Sequence, residues 1–208
     1  MDSLKRLIQS SPVYDLVNKC RNWWEWVSWR RGNHGRVPHR VKRDVLKSLG
    51  RRFELQSFVE TGTFFGDMVD ALKNDFQHIQ SIELDEFLSS RGMRRFARHS
   101  HISILRGDSA EMLPLALKAV QSPTLFWLDA HFSGGITACG KQVSPIVEEL
   151  DHIFKHPIRG HVIVIDDARL FGTDPGYPTL NQLREFVSSN GSRWKIEVAN
   201  DAIHIHEM

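Results

Sequence analysis

One stretch, Phe58-Val59-Glu60-Thr61-Gly62-Thr63-Phe64-Phe65-Gly66-Asp67, decides the fold. It begins as a short apolar run typical of a buried strand, and Gly62 and Gly66 follow four positions apart. Glycine permits a tight turn and lets a ligand approach the backbone closely. The helix expected next would direct unpaired N–H groups and its positive dipole end toward the turn. The stretch therefore predicts a nucleotide-like cofactor at the carboxyl end of a strand.

Short apolar runs alternate with helical patterns on the C-terminal side of this stretch. Five βα units are predicted, followed by two strands joined through the polar residues 199–201. Such alternation indicates an α/β fold, a Rossmann-like doubly wound sheet with seven strands and an antiparallel C-terminal hairpin. The predicted strands are Phe58–Glu60, Ile79–Leu84, Ile102–Leu105, Thr124–Leu128, His161–Ile165, Trp194–Val198 and Ala202–His206.

The composition is that of an ordinary soluble protein. Of 208 residues, 41% are hydrophobic and 25% are charged. Cys20 and Cys139 are too few for a disulfide framework and fit a reducing compartment. No apolar run approaches about 18 residues, the length of a membrane span. The first residues show no apolar signal segment, so we expect a cytoplasmic protein.

Charge divides the chain into two parts. Residues 1–53 hold 13 Lys and Arg against 4 Asp and Glu, a net charge of +9, whereas residues 54–208 hold 14 against 21, a net charge of −7. We therefore predict a basic helical arm (1–53) and an α/β domain (54–208). A helix begins at Pro38, and its basic residues are interpreted as a solvent-exposed face: Arg40, Lys42, Arg43 and Lys47. No nucleic-acid motif supports that face, so no nucleic-acid partner is expected.

Residues 13–31 form a second predicted helix with four of the six tryptophans. Trp23, Trp24, Trp26 and Trp29 lie among Arg21, Arg30 and Arg31. One interpretation is an interfacial helix that lies on the inner face of a membrane, with arginines toward anionic lipid. The other is a helix packed on the domain or on a partner subunit, as in a homodimer. Packing is the more common use of such aromatic residues, and we favour it.

Acidic residues follow every parallel strand. Because the carboxyl ends of parallel strands share one edge, these side chains are expected to face one site. Glu83 lies 21 residues after Gly62, where an acid accepts hydrogen bonds from ribose hydroxyls. Asp108 and Ser109, one strand further out, are expected at the edge of an adenine. The residues after the inner strands, Asp129, Asp166 and Asp167, are expected to face a second substrate.

Two further side chains carry candidate chemistry near that second substrate. His131 is a candidate general base, because its unperturbed pKa lies near neutrality; the alternative is a structural histidine. Arg169 either binds a substrate carboxylate or phosphate or pairs with a neighbouring aspartate. His204 and His206 alternate along a strand and are interpreted as surface or edge residues, since a third metal ligand is missing from the pattern.

These motifs resemble those of class I S-adenosylmethionine-dependent methyltransferases over residues 57–208. Glu60-x-Gly62-x-x-x-Gly66 resembles their first motif, Glu83 their ribose-binding acid, and Gly107-Asp108-Ser109 their adenine contact. Within the superfamily, the chain is similar to a little-characterised bacterial subgroup. The pattern departs at Phe64, where the family usually has glycine. The resemblance implies S-adenosylmethionine (SAM) as cofactor, bound by Glu60, Thr61, Gly62, Thr63, Gly66, Glu83, Asp108, Ser109 and Asp129.

A more distant similarity concerns Mg²⁺-dependent sugar O-methyltransferases of the macrolide and aminocoumarin pathways. They place one Asp after the fourth strand and an Asp pair after the fifth, as Asp129, Asp166 and Asp167 are placed here. This similarity implies a Mg²⁺ site that binds substrate hydroxyls. In metal-free relatives, an aspartate after the fourth strand instead positions the methionine end of the cofactor. The sequence leaves both roles open.

Three functions follow as hypotheses. The first is methyl transfer to an oxygen, or less commonly a nitrogen, of a small molecule or sugar, with Asp129, His131, Asp167 and Arg169 as catalytic candidates. The second is a nicotinamide-dependent oxidoreductase, although the turn at Gly62 lacks the G-x-G-x-x-G spacing. The third is a non-catalytic module that docks to a membrane or partner through the arm.

Overall fold

Helices and strands alternate as the apolar periodicity predicts. The structure, a computed structural model, describes residues 12–32, 36–129, 145–191 and 193–207. The helices are α1 (Pro12–Arg30), α2 (His39–Arg52), α3 (Asp67–Leu72), α4 (Glu86–Phe96), α5 (Ser109–Leu117), α6 (Ile146–Lys155) and α7 (Leu180–Ser189). The strands are β1 (Ser57–Thr61), β2 (His78–Glu83), β3 (Ile102–Arg106), β4 (Thr124–Leu128), β5 (Val162–Ile165), β6 (Trp194–Ala199) and β7 (Ala202–Glu207).

The sheet has the strand order β3-β2-β1-β4-β5-β7-β6. The first five strands in this order are parallel, and β7 runs antiparallel to both β5 and β6. The chain runs outward from β1 to β3 and then crosses back to place β4 on the other side of β1. This reversal makes a switch point between β1 and β4, where open α/β sheets bind ligands. The predicted fold class is confirmed.

Both faces of the sheet are covered by apolar packing. Successive residues of a strand point to opposite faces, so Phe58 and Val59 enter different clusters. Phe58 and Trp127 pack with residues of α2 and α3, and Val59 and Phe126 pack with residues of α5, α6 and α7. Full burial explains why β4 and β5 have continuous apolar sequences.

The basic helix α2 packs on the sheet. Leu46 and Leu49 belong to the same buried cluster as Phe58 of β1. Helix α1 packs in turn on α2, and the Trp26 ring lies 4.2 Å from the Arg40 guanidinium carbon. Among the described helices, none combines the length and the apolar character that crossing a membrane requires. The division of the chain after residue 53 stays a prediction.

The terminal histidines are buried, so their interpretation as surface or edge residues was wrong. β7 lies between β5 and β6, and it is β6 that forms this edge of the sheet. His204 and His206 are both buried, and the Phe53 ring at the end of α2 lies 5.1 Å from the His206 ring. The hairpin folds back so that its second strand is the inner one, and strand alternation alone does not predict that order.

Candidate active site

The turn after β1 has the backbone that its glycines predict. Gly62 and Gly66 have φ values of +90° and +78°. Both lie in the left-handed region, which glycine enters without a steric penalty. A Cβ atom at Gly66 would lie 2.8 Å from the Phe96 ring. Phe64, the position of departure from the family pattern, also adopts a positive φ of +49° at a cost of about 1–2 kcal/mol, and its side chain is 45% exposed. Position 64 therefore adopts the left-handed backbone conformation although its residue is phenylalanine instead of glycine.

Glu83 at the end of β2 holds this turn in place. The Phe64 N–H donates to Glu83 Oε2 at 2.7 Å, and the Asp85 N–H donates to Oε1 at 2.9 Å. Burial raises the pKa of Glu83, and both N–H groups oppose that rise. Each carboxylate oxygen has a second lone pair for a further donor. Glu83 thus lies beside the turn, where the sequence places a ribose-binding acid.

A buried hydrogen-bond chain supports the turn from beneath. Ser81 Oγ donates to Glu60 Oε2 at 2.5 Å and lies 2.6 Å from Thr63 Oγ1. Burial raises the pKa of Glu60 well above its ordinary value, although the Ser81 hydroxyl opposes the rise. Glu60, Thr61 and Thr63 are all buried. Glu60 and Thr63 are thus joined through Ser81 next to the turn, and the binding of a cofactor by Glu60, Thr61 and Thr63 stays a prediction.

Asp108 is brought to the same edge by β3. Its carboxylate caps α5, accepting the Ala110 N–H at 3.1 Å. The Gly107 N–H donates to the Glu83 carbonyl at 3.0 Å and joins this turn to the end of β2. The structure thus brings the turn at Gly62, Glu83 and Asp108 together along the carboxyl ends of β1, β2 and β3.

Glu149 of α6 is a site residue that the sequence reasoning missed. It is 0% exposed, and among the described residues neither carboxyl oxygen has a hydrogen-bond partner of good geometry. Burial raises its pKa from 4.5 to about 7, and the nearby Ser109 and Thr61 hydroxyls oppose the rise. A signal was present in the sequence: Ile146, Glu149 and Ile153 share one helix face, so an acid interrupts the apolar stripe.

The carboxylates at the inner strand ends also converge. The Asp129 N–H donates to the Thr61 carbonyl at 3.0 Å, and the Asp167 N–H donates to Asp166 Oδ1 at 2.8 Å. Asp166 and Asp167 are both buried. Burial, followed by the charge of Asp129, raises the pKa of Asp166 against the opposing effect of Lys42. The three aspartates therefore share one electrostatic environment, as predicted from their strand positions.

Lys42 of α2 enters this cluster, so its interpretation as part of a solvent-exposed face was wrong. The lysine is 6% exposed, and its Nζ donates to Asp166 Oδ1 at 2.5 Å and to Asp167 Oδ1 at 3.4 Å. Burial lowers the pKa of Lys42, but Asp166, Asp167 and Asp129 outweigh that effect and raise it. The residue is missed because its partners lie more than a hundred positions away in the chain.

Arg169 pairs with acidic residues of the protein, which is one of its two predicted roles. Its Nη1 donates to Asp167 Oδ1 at 2.8 Å and also to the Asp201 carboxylate in the hairpin turn. Arg36 Nη2 lies 3.8 Å from Asp167 Oδ2. The Asp167 carboxylate is therefore surrounded by basic side chains, and Arg169 contributes to this arrangement.

His131, the predicted general base, lies outside the described residues, as does the rest of 130–144. The structure brings another histidine to the site. His39, the first residue of α2, is exposed, yet desolvation by the surrounding protein lowers the pKa of its ring. The charge of Asp129 opposes this shift, so the two side chains lie within electrostatic range of each other. His39 also lies one helical turn before Lys42.

The three aspartates do not fit a Mg²⁺ site in this arrangement. Mg²⁺ requires oxygen ligands at about 2.1 Å in octahedral geometry. Asp166 Oδ1 and Asp167 Oδ1 instead accept hydrogen bonds from Lys42. Across the described ranges, no group of three or more His, Cys, Asp or Glu side chains is arranged to hold a metal ion.

Comparisons with known proteins find similar folds among solved structures. No protein-family model and no curated protein matches the sequence. Among solved structures, an O-methyltransferase from Bacillus cereus in complex with S-adenosylhomocysteine (SAH) matches with a TM-score of 0.60 at 14% identity, over 90% of each chain. TomG, an O-methyltransferase from Streptomyces achromogenes involved in tomaymycin synthesis and in complex with SAM, matches with a TM-score of 0.57 at 20% identity, over 80% of this chain and 79% of its own.

A third match carries a different chemistry on the same fold. The N-methyltransferase NodS from Bradyrhizobium japonicum has a TM-score of 0.53 at 13% identity, over 80% of this chain and 93% of its own. The chain therefore has the Rossmann-like fold of class I SAM-dependent methyltransferases. At these identities the likeness concerns the fold, and the argument about chemistry depends on the site itself.

Proposed function

We propose that the protein transfers a methyl group from SAM to an oxygen of a small molecule or sugar. The observation that carries the proposal is the convergence of the turn at Gly62, the Glu83 carboxylate and Asp108 along three neighbouring strand ends. One turn, one ribose-binding acid and one acid at the adenine edge are what a nucleoside cofactor requires. Oxygen as the acceptor atom is part of the proposal, and the matched folds include O-methyltransferases as well as an N-methyltransferase.

A dinucleotide fits this turn less well. The N–H groups of Gly62 and Thr63 donate to the Ile82 carbonyl, and that of Phe64 donates to Glu83. A diphosphate is normally held by N–H groups at this point of the fold. Because protein acceptors already use these three donors, the geometry favours a cofactor without a diphosphate over a nicotinamide dinucleotide.

The proposed reaction is an in-line methyl transfer that needs a base near the acceptor hydroxyl. SAM supplies a methyl group bonded to a positively charged sulfur, which an acceptor oxygen attacks in line. The acceptor hydroxyl loses its proton to a base as the carbon–oxygen bond forms and the carbon–sulfur bond breaks. His39 and His131 are the two candidate bases, and the ring of His39 lies within electrostatic range of Asp129. Positioning and deprotonation are then the main contributions of the protein.

A thermal-shift panel tests the cofactor class. SAM, SAH, NAD and ATP are added separately to the full chain, each with and without Mg²⁺. At about 100 times its dissociation constant, a ligand stabilises the native state by about 2.7 kcal/mol, which corresponds to a shift of about 5–10 °C for a protein of this size. We expect SAM and SAH to give that shift. A larger shift with NAD than with SAH would contradict the proposal.

A further inference from the structure

The acidic cluster at the ends of β4 and β5 contains a basic side chain from the N-terminal arm. Lys42 Nζ lies 2.5 Å from Asp166 Oδ1 and 3.4 Å from Asp167 Oδ1. All three side chains are at least nine-tenths buried. The ammonium group therefore pairs with two of the three aspartates that the sequence resemblance assigns to Mg²⁺.

Packing of α2 on the sheet fixes the ammonium group there. Lys42, Leu46 and Leu49 are buried on one face of α2, and the two leucines belong to the core cluster that includes Phe58. A lysine on the buried face of an anchored helix cannot swing into solvent unless the helix itself moves. The pairing with Asp166 is therefore a consequence of the fold, unlike that of a mobile surface lysine.

One carboxylate oxygen of Asp166 and one of Asp167 already have two donors each. Asp166 Oδ1 accepts hydrogen bonds from Lys42 and from the Asp167 N–H, and Asp167 Oδ1 accepts them from Lys42 and Arg169. A divalent cation would have to displace a buried ammonium group and break these bonds. It would also add its charge to those of Lys42 and Arg169.

We propose that Lys42 is the resident cation of the Asp129, Asp166 and Asp167 cluster and takes the position of a divalent metal. Methyl transfer then requires no metal, a consequence that rests on the proposed function. Lys42 acts through Asp166 and Asp167 and is a positioning residue. The arm thereby becomes part of the acceptor side of the site, because α2 brings Lys42 to it.

Replacement of Lys42 by an uncharged side chain of similar length tests this proposal. Mn²⁺, a paramagnetic substitute for Mg²⁺, is titrated into the full chain, and free Mn²⁺ is measured by electron paramagnetic resonance. We expect that, at a total Mn²⁺ concentration of about 1 mM, the wild type leaves the Mn²⁺ unbound. That concentration corresponds to the weakest carboxylate sites in proteins. Lys42→Met removes the buried ammonium group from Asp166 and leaves Asp167 paired with Arg169, so the cluster loses one positive charge and its Mn²⁺ affinity should rise about tenfold or more. Lys42→Arg should restore the wild-type result.

Lys47→Met is the matched control. Lys47 lies on the same helix and also pairs with an aspartate, its Nζ lying 2.9 Å from Asp75 Oδ2, but this pair is partly exposed and outside the cluster. Lys47→Met should leave Mn²⁺ binding unchanged. A gain in Mn²⁺ affinity in Lys42→Met but not in Lys47→Met would show that the gain comes from the acidic cluster and not from the loss of one positive charge.

Two results would overturn the proposal. One is tight Mn²⁺ binding by the wild type, and the other is a folded Lys42→Met variant that gains no Mn²⁺ affinity. If Lys42→Met fails to fold, the wild-type titration still decides, because tight binding there contradicts the proposal by itself. SAH binding is measured on the same samples. If the wild type does not bind SAH, the proposed function is refuted, whereas the Mn²⁺ result still stands.

Discussion

At the scale of single residues, two ionisable side chains lie within the apolar faces of helices. Lys42 and Glu149 each lie on the buried face of an amphipathic helix, among leucines and isoleucines. Each interrupts an apolar stripe, which is a signal that the sequence contains. Their partners cannot be inferred in the same way, because the Lys42–Asp166 contact spans 124 positions. By contrast, Glu83 and Asp108 were predicted, because each lies at or just after the carboxyl end of its own strand.

Glu149 gives the protein a specific pH dependence. Its pKa is about 7 in the folded chain and ordinarily 4.5, so folding favours its protonated form. Between these values the unfolded chain has released the proton and the folded chain retains it. Stability therefore falls as the pH rises from about 4.5 to 7, by about 3 kcal/mol, and is constant above that range. Glu149→Gln removes this loss and should raise the free energy of unfolding at about pH 8 but little at about pH 5.

Urea denaturation of both proteins at the two pH values measures this difference. The control is Glu148→Gln, which changes the exposed neighbour on α6 and should give the same small effect at both pH values. An equal effect of Glu149→Gln at the two pH values would show that burial does not raise the pKa of Glu149.

Among the secondary-structure elements, α1 packs on α2 through Trp26 and leaves other tryptophans exposed. The Trp26 ring lies 5.1 Å from the Arg30 guanidinium carbon and 4.2 Å from that of Arg40, and it contacts α2 through Arg40. Trp23 and Trp24 are 49% and 62% exposed. The helix is thus packed on the domain through one part of its surface. Contact of the exposed pair with a membrane or with a second copy of the chain stays a prediction.

The packed interpretation of α1 predicts unequal effects of two tryptophan substitutions. Trp26→Ala removes the stacking with Arg40 and the contact with α2, so it should lower the free energy of unfolding by about 1–2 kcal/mol. Trp24→Ala changes an exposed residue and should lower it by less than about 0.5 kcal/mol. Denaturation followed by circular dichroism measures both. Equal losses would contradict packing of α1 through Trp26.

For the molecule as a whole, the sheet was predictable and the contribution of the arm was not. Each parallel strand carries its own apolar signal, and the acids after β1 to β5 meet because parallel strands share one edge. The order of β6 and β7, and the insertion of α2 into the acidic cluster, depend on contacts between distant segments. Hydrophobic periodicity is a local property and does not encode them, so His204 and Lys42 were both misplaced.

The central claim is that a SAM site lies along the ends of β1, β2 and β3. Titration calorimetry of SAH with the wild type and with Glu83→Ala tests it most directly. Glu86→Ala is the control, because Glu86 lies only three positions from Glu83 in the sequence but its exposed carboxylate pairs with Arg106. We predict one SAH per chain, weakening of about 10- to 100-fold in Glu83→Ala, and unchanged affinity in Glu86→Ala. Absence of SAH binding by the wild type, or equal affinity in a folded Glu83→Ala variant, would contradict the claim.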